Sequence, residues 1–198
     1  TLEKYKTYVG PKDRENLKFV TVYSEYIETG IDLGKKPVRI RTLDFGSNFV
    51  KNCTAHSPVF SPDESIYIFA SPVKTKERSP NSYEDMPEYN DDISYIYFDG
   101  KRWSNPLPVT NLNTSSDEAP LSITPDGTQL IIYRYDNGDG NLYYSDLQDN
   151  MVWSKPKKFP SPINSLAQET SATMSADGTK IYFTSDREGG KGGLDIYV

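Results

Sequence analysis

Ala119-Pro-Leu-Ser-Ile-Thr-Pro-Asp126, with Gly127 and then the apolar run Leu130-Ile-Ile-Tyr133, has two counterparts elsewhere in the chain. His56-Ser-Pro-Val-Phe-Ser-Pro-Asp63 precedes Ile66-Tyr-Ile-Phe69, and Thr170-Ser-Ala-Thr-Met-Ser-Ala-Asp177, with Gly178, precedes Ile181-Tyr-Phe-Thr184. Other markers keep the same beat. Asp126 and Asp177, Glu118 and Glu169, and Asn113 and Asn164 each stand 51 residues apart, while Trp103-Ser-Asn-Pro106 and Trp153-Ser-Lys-Pro156 stand 50 apart. A fixed period of this size marks a repeat architecture.

Within one period the alternation of apolar and polar residues predicts strands at Pro120–Thr124, Gln129–Tyr135, Asn141–Asp146 and Val152–Phe159. Pro125-Asp-Gly127 has the composition of a tight turn, and Asn137-Gly-Asp-Gly140 that of a hairpin tip. Four short strands in roughly 40–50 residues make one β-propeller blade. The expected fold class is therefore all-β, a propeller of four-stranded antiparallel blades. One segment, 1–198, divides into a degenerate blade at 17–51, blades at 52–113 and 114–165, and a partial blade at 166–198. In the degenerate blade, Phe19-Val-Thr-Val-Tyr23 and Val38-Arg-Ile-Arg-Thr-Leu43 read as alternating strands. The last period stops after a third strand. Either residues 1–16 supply the fourth and close a small ring, or the chain is part of a larger propeller; the second is the expectation.

Composition agrees. Hydrophobic residues reach only 35%, but 15 Tyr, 13 Gly and 14 Pro favour short strands and turns. A net charge of −6 argues against a nucleic-acid partner. The basic groups Lys35-Lys36 and Lys155–Lys158 read as turn or edge charges. Cys53 is the single cysteine, so neither a disulfide framework nor a cysteine zinc site is expected.

Candidate chemistry is sparse. His56 is the single histidine and lies three residues from Cys53, a spacing that on a strand points the two to opposite faces. A polar residue near the start of the innermost strand is the expectation. Asp63, Asp126 and Asp177 recur once per blade, with Gly127 and Gly178 after two of them, whereas a catalytic acid is needed once per site. They read as turn residues. Asp186 and Arg187 read as a local pair that bridges strands or blades, and Trp103 and Trp153 as packing between blades. Asp136-Asn-Gly-Asp-Gly-Asn141 resembles a calcium loop but puts Gly at 138 and 140, where oxygen ligands would be needed. The interval from Asp63 to Asp126 is 63, and the excess falls in the polar stretch Lys74–Asp92. Glu84, Asp85, Glu88, Tyr89, Asp91 and Asp92 in that insertion are the candidate partner-binding residues, because binding concentrates on loops held by a rigid scaffold. No residue is assigned to catalysis, to a metal or to a cofactor.

Ser175-Ala-Asp-Gly-Thr-Lys-Ile-Tyr-Phe-Thr-Ser-Asp-Arg187, followed by Gly189-Gly-Lys-Gly-Gly-Leu-Asp-Ile-Tyr197, resembles the WD-like propeller repeats of bacterial periplasmic proteins, found also in the Tol system. Pro162-Ile-Asn-Ser165 and Glu169 are similar to the version common in Bacteroidota. The match covers roughly residues 52–198 and is fullest in the last period. The second period has Arg134-Tyr-Asp136 where the third has Ser185-Asp-Arg187, and the first has Glu64 where glycine is expected. The resemblance implies a periplasmic, outer-membrane-associated scaffold that binds other envelope proteins. It also implies a place in secretion, gliding or peptidoglycan-anchoring machinery, with any wall-binding domain outside this chain. Two other functions stay open: a carbohydrate-binding or polysaccharide-cleaving propeller, and the gating propeller of a peptidase.

Overall fold

A computed structural model describes residues 14–35, 54–76, 88–136, 138–149 and 152–198. The chain divides into two compact units, Thr1–Asp44 and Phe45–Val198.

In the first unit, α1 spans Arg14–Gly34. This corrects the strand expected at Phe19–Tyr23. The short alternating run belongs to a longer pattern of helical period, in which Phe19 and Tyr23 stack at i, i+4 with ring centroids 4.3 Å apart. Tyr23 and Tyr26 meet edge-on at i, i+3, 6.0 Å apart. Ser24 turns its hydroxyl back to Val20 O at 2.8 Å, a bond that only a helix allows at that spacing. The β-branched residues at 20–22 mislead because β-propensity yields to context. Val38–Leu43 lies outside the described residues.

The second unit is built from antiparallel sheets. The first has the order β1 (His56–Phe60), β2 (Ile66–Lys76), β3 (Glu88–Tyr97), β4 (Leu107–Pro108). The second runs β5 (Asp117–Ile123), β6 (Gln129–Asp136), β7 (Asp139–Gln148), β8 (Val152–Trp153), with β9 (Lys157–Lys158) also paired to β7. The third comprises β10 (Glu169–Met174), β11 (Ile181–Ser185) and β12 (Asp195–Tyr197). Neighbours in sequence are neighbours in each sheet, which is the up-and-down order of a propeller blade.

The single outer strand expected at Val152–Phe159 is two short pieces, because Pro156 has no N–H to give to the ladder. Ser154 bridges the gap. Its N–H donates to Asp146 O at 2.9 Å and its hydroxyl accepts the Asp146 N–H at 3.0 Å. The first sheet breaks its outer strand the same way, with Phe98 bridged to Trp103 ahead of β4. Asn113 and Asn164 explain their shared spacing. Each side-chain amide closes a two-way bond with a third-strand peptide, Asn113 with Ile93 at 2.8 and 3.0 Å and Asn164 with Leu142 at 2.8 Å both ways.

Strand alternation buries both faces of the middle sheet. Leu130, Ile132, Tyr143 and Trp153 meet Val59, Ile68, Ile93 and Val109 of the first sheet. Ile131 and Leu142, on the other face, meet Ala172 and Phe183 of the third. The three sheets are therefore consecutive blades of a β-propeller, stacked face to face on apolar clusters.

The turn between the first two strands of each blade sets a conformational test. Gly127 and Gly178 adopt φ of +73° and +69°, and Glu64, in the equivalent place, is forced to +58°. A left-handed conformation costs an L-residue about 1–2 kcal/mol. A Cβ on Gly127 would also stand 3.3 Å from Pro62 Cδ in the neighbouring blade. Gly127→Ala is expected to lower stability by about 1–2 kcal/mol, and Glu64→Gly to raise it by about 0.5–1 kcal/mol, in urea titrations.

Candidate functional site

The described ends of the polar stretch Lys74–Asp92 are strand, Lys74–Lys76 in β2 and Glu88–Asp92 in β3. β2 and β3 pair in register from Ile66↔Tyr97 to Lys74↔Tyr89 and, after a one-residue shift, at Lys76↔Glu88, whereas the matching hairpin of the second blade closes at Asp136↔Asp139. The two strands therefore pair past the point where the second blade's hairpin closes, through Lys74, Lys76, Glu88 and Tyr89. Tyr89 sits on this extension and is 54% exposed. Glu88 is paired with Lys76 in the ladder, and Glu84 and Asp85 lie outside the described residues.

Asp91 is anchored at the base of the hairpin. Asp91 Oδ2 is 3.1 Å from His56 Nε2, and the Asp91 N–H donates to Asp117 Oδ1 at 3.0 Å. Asn90 Nδ2 donates to Ser115 O beside it. The Asp92 carboxyl is pushed above its ordinary range, first by burial and then by the charge of Asp91. Of the described candidates, Tyr89 is presented to solvent, while Asp91, with Asn90, ties the hairpin to the second blade. Sequence reasoning missed the His56–Asp91 contact, because it joins the first strand of a blade to the third at a register no motif encodes.

At the other end of the same strands, the recurring aspartates organise one turn in three copies. The hydroxyls of Ser61, Thr124 and Ser175 donate to Asp63, Asp126 and Asp177, each at 2.6 Å. The backbone N–H groups of Ser65, Thr128 and Thr179 add bonds of 3.2, 3.0 and 3.1 Å, and their hydroxyls add one of 2.8 Å each. The leading hydroxyls in turn accept the N–H of Ile66, Gln129 and Lys180.

Those donors hold all three carboxyls at about 2, below the ordinary 3.8, with the leading hydroxyl the largest cause in each case. A depressed pKa stabilises the fold above the unfolded value, and that contribution disappears as pH falls through the folded one. Their contribution to the thermal midpoint is expected to be constant above about pH 4 and to be lost between about pH 4 and about pH 2. Asp126→Asn should reduce that loss in a calorimetric pH series.

The buried charges form a second repeat. Glu118 and Glu169 are fully buried. Glu118 accepts the Thr114 N–H at 3.0 Å, the Thr114 hydroxyl, and Arg134 Nε at 2.9 Å. Glu169 accepts the Ser165 N–H at 3.1 Å, the Ser165 and Ser185 hydroxyls at 2.7 and 2.8 Å, and an Arg187 terminal nitrogen at 3.0 Å. Arg187, expected to pair with its neighbour Asp186, instead spans to this buried glutamate and to the carbonyls of Pro162 and Ile163 at 2.7 and 2.6 Å. Asp186 accepts the Gln168 N–H at 2.8 Å. Burial is the leading influence on Glu118 and pushes its carboxyl up, with Thr114 and Arg134 opposing.

The glycine-rich tip of the second hairpin is held internally. Asp136 accepts Asn141 Nδ2 at 2.9 Å and the Tyr143 hydroxyl at 2.6 Å. Gly140 is required there, since a Cβ would lie 2.7 Å from Tyr133 Cε2. Among the described residues no group of three or more His, Cys, Asp or Glu could hold a metal ion. Trp153 is buried between the first two blades, and Trp103 stacks on Phe98 at 5.4 Å and packs beside Tyr67, Phe69 and Ile96.

No family model matches the sequence, and no curated protein does. Among solved structures, the chain is similar to TolB from Acinetobacter baumannii, at 19% identity and a TM-score of 0.43 over 73% of this chain and 29% of that one. It is also similar to a putative TolB from Agrobacterium tumefaciens, at 16% identity and a TM-score of 0.40 over 73% of this chain and 57% of that one. The chain spans less than a third of the first of these proteins and somewhat over half of the second.

Proposed function

We propose that this chain is a non-catalytic protein-interaction scaffold of the bacterial cell envelope, periplasmic and associated with the outer membrane, and that the β2–β3 hairpin is its partner-contact element. The observation that carries the reading is the hairpin. One blade of three extends its strands past the common length and presents Tyr89 on the extension, while a His56–Asp91–Asp117 chain of contacts fixes its base. A rigid stem with an exposed aromatic is a form that protein contacts use well.

Two further features support a scaffold over a catalyst. The recurrent aspartates are held by their own turns, and the recurrent glutamates are neutralised by Arg134 and Arg187. The recurrent tryptophans pack against neighbouring aromatic and aliphatic side chains, which weighs against a sugar-stacking platform. The resemblance of the last period to periplasmic repeats favours secretion, gliding or wall-anchoring machinery as the setting. Among the described residues no helix is long and apolar enough to cross a membrane.

Replacing residues 74–89 by Asn-Gly would close Val73 on Asn90 with a two-residue tip, copying the second blade. The variant is expected to keep its thermal midpoint to within about 3 °C, since none of the described residues it removes belongs to the inter-blade clusters. It is expected to lose capture of envelope proteins that the full chain retains in pull-downs read by mass spectrometry. Undiminished capture would contradict the assignment of the hairpin.

A further inference from the structure

The turn end of the blades carries a second feature, apart from the hairpin. A cleft of about 390 Å³ opens there between the first and second blades. Ile66, Ile123, Leu147 and Trp153 form its apolar walls, and Asp63 and Asp126 stand at its mouth. Gly127 packs on Pro62 across that mouth, so the two turns are held against one another.

The charge at this mouth is unbalanced. Several carboxylates elsewhere have cationic partners, among them Glu118 with Arg134, Glu169 with Arg187, Asp146 with Lys157 and Asp91 with His56, whereas Asp177, in the equivalent turn of the third blade, is bonded by Ser175 and Thr179. Among the described residues no Lys, Arg or His pairs with Asp63 or Asp126. All three donors to Asp126 converge on Oδ1, so its Oδ2 is open. Both carboxyls are ionised throughout the physiological range.

The cleft between the second and third blades makes a useful contrast. It is similar in size, about 420 Å³, and has Asp126 and Asp177 at its edge. Gln129 stands there in the place of Ile66, with its amide committed to Asp146 at 2.9 Å, so that cleft lacks the apolar wall. What sets the first cleft apart is its apolar wall beside two carboxylates, of which Asp126 has Oδ2 open while Asp63 Oδ2 accepts the Ser65 hydroxyl at 2.8 Å.

We propose that the cleft between the first and second blades is a docking groove for an extended basic segment of a partner protein. That segment inserts an apolar side chain between Ile66 and Trp153 and sets flanking Lys or Arg side chains against Asp63 and Asp126. Charge complementarity selects the cations, and removal of the apolar side chain from water supplies the specificity. The site is separate from the hairpin, at the opposite end of β2, so either assignment can fail without the other.

The test is an NMR titration of the full chain with three blocked peptides, following the Trp153 indole N–H and the Gly127 amide. Lys-Leu-Lys-Leu-Lys is expected to shift both signals. Lys-Gly-Lys-Gly-Lys should bind about tenfold more weakly, and Glu-Leu-Glu-Leu-Glu should not bind. Ile66→Gln, which copies the second cleft, should weaken Lys-Leu-Lys-Leu-Lys about tenfold. Asp126→Asn keeps an Oδ1 acceptor for the turn and should weaken it about fivefold. If that variant folds poorly, the salt dependence of the unaltered protein serves instead, with affinity falling several-fold from about 0.05 M to about 0.5 M salt. Equal affinity for the two basic peptides together with an inert Ile66→Gln would show diffuse attraction only and overturn the groove. Absence of binding, shifts centred away from the cleft, or salt-independent binding would overturn it as well.

Discussion

Arg134→Ala is expected to destabilise the protein by about 3–5 kcal/mol, because it strands a fully buried glutamate without its counter-charge. Arg134 reaches Glu118 through Nε and the Leu112 carbonyl through a terminal nitrogen at 2.8 Å, and lies 4.9 Å from the Tyr143 ring centroid. Thr114 still donates to Glu118 after the substitution, but those bonds cannot balance a buried charge. Arg134→Lys keeps the charge and loses the planar fork, so an intermediate loss is expected. The pH response distinguishes a charge effect from a packing effect. Glu118 already has its carboxyl pushed up by burial, and losing Arg134 raises it further. A raised folded value favours the protonated fold, so the deficit of Arg134→Ala should shrink from about pH 8 to about pH 5. A deficit of the same size at both pH values would assign the loss to packing. Urea titrations at the two pH values measure it.

Trp153→Ala should cost about 3–5 kcal/mol, the range for removing a large buried aromatic. Trp153 is 8% exposed and sits in the cluster that joins the first blade to the second. Its carbonyl accepts Asn111 Nδ2 at 3.0 Å, which also ties the outer strand of one blade to the loop of the other. Blades lean on their neighbours, so loss of one interface weakens two repeats together. Trp153→Phe, which refills part of the space, should recover at least half of the loss in the same denaturation experiment. A Trp153→Ala effect below about 1 kcal/mol would mean that the blades do not depend on this contact.

Why so much of this fold is legible in the sequence is visible in individual residues. Asp126 and its counterparts are set by contacts within five residues, and such local chemistry repeats wherever the sequence repeats. Asn113 and Asn164 are legible as a spacing, although what they bind lies about 20 residues earlier and needs coordinates. The arginines show a subtler limit. Arg134 matches Ser185 in the repeat alignment, and Arg187 lies two residues further on, so the two do not align. Both side chains nevertheless reach the buried glutamate of their own repeat, Arg134 from within β6 to Glu118 and Arg187 from just past the end of β11 to Glu169. Alignment hides this equivalence, and the contacts reveal it. The helix at Arg14–Gly34 escapes a reading in which five residues of strand-like composition are taken without the helical spacing around them. The hairpin extension escapes it because a polar, acidic composition argues for a loop, whereas backbone pairing with β2 overrides it.

The central claim, that the hairpin is where this scaffold meets its partner, has a direct test. The photo-crosslinking residue benzoylphenylalanine would replace Tyr89 in the full chain, expressed in its native cells, with Leu166 replaced in a second version as a control. Leu166 is fully exposed on a loop of the third blade, more so than Tyr89. Irradiation is expected to give a discrete protein adduct from position 89 and none from position 166. Adducts from 166 but not from 89, or none from either, would contradict the claim.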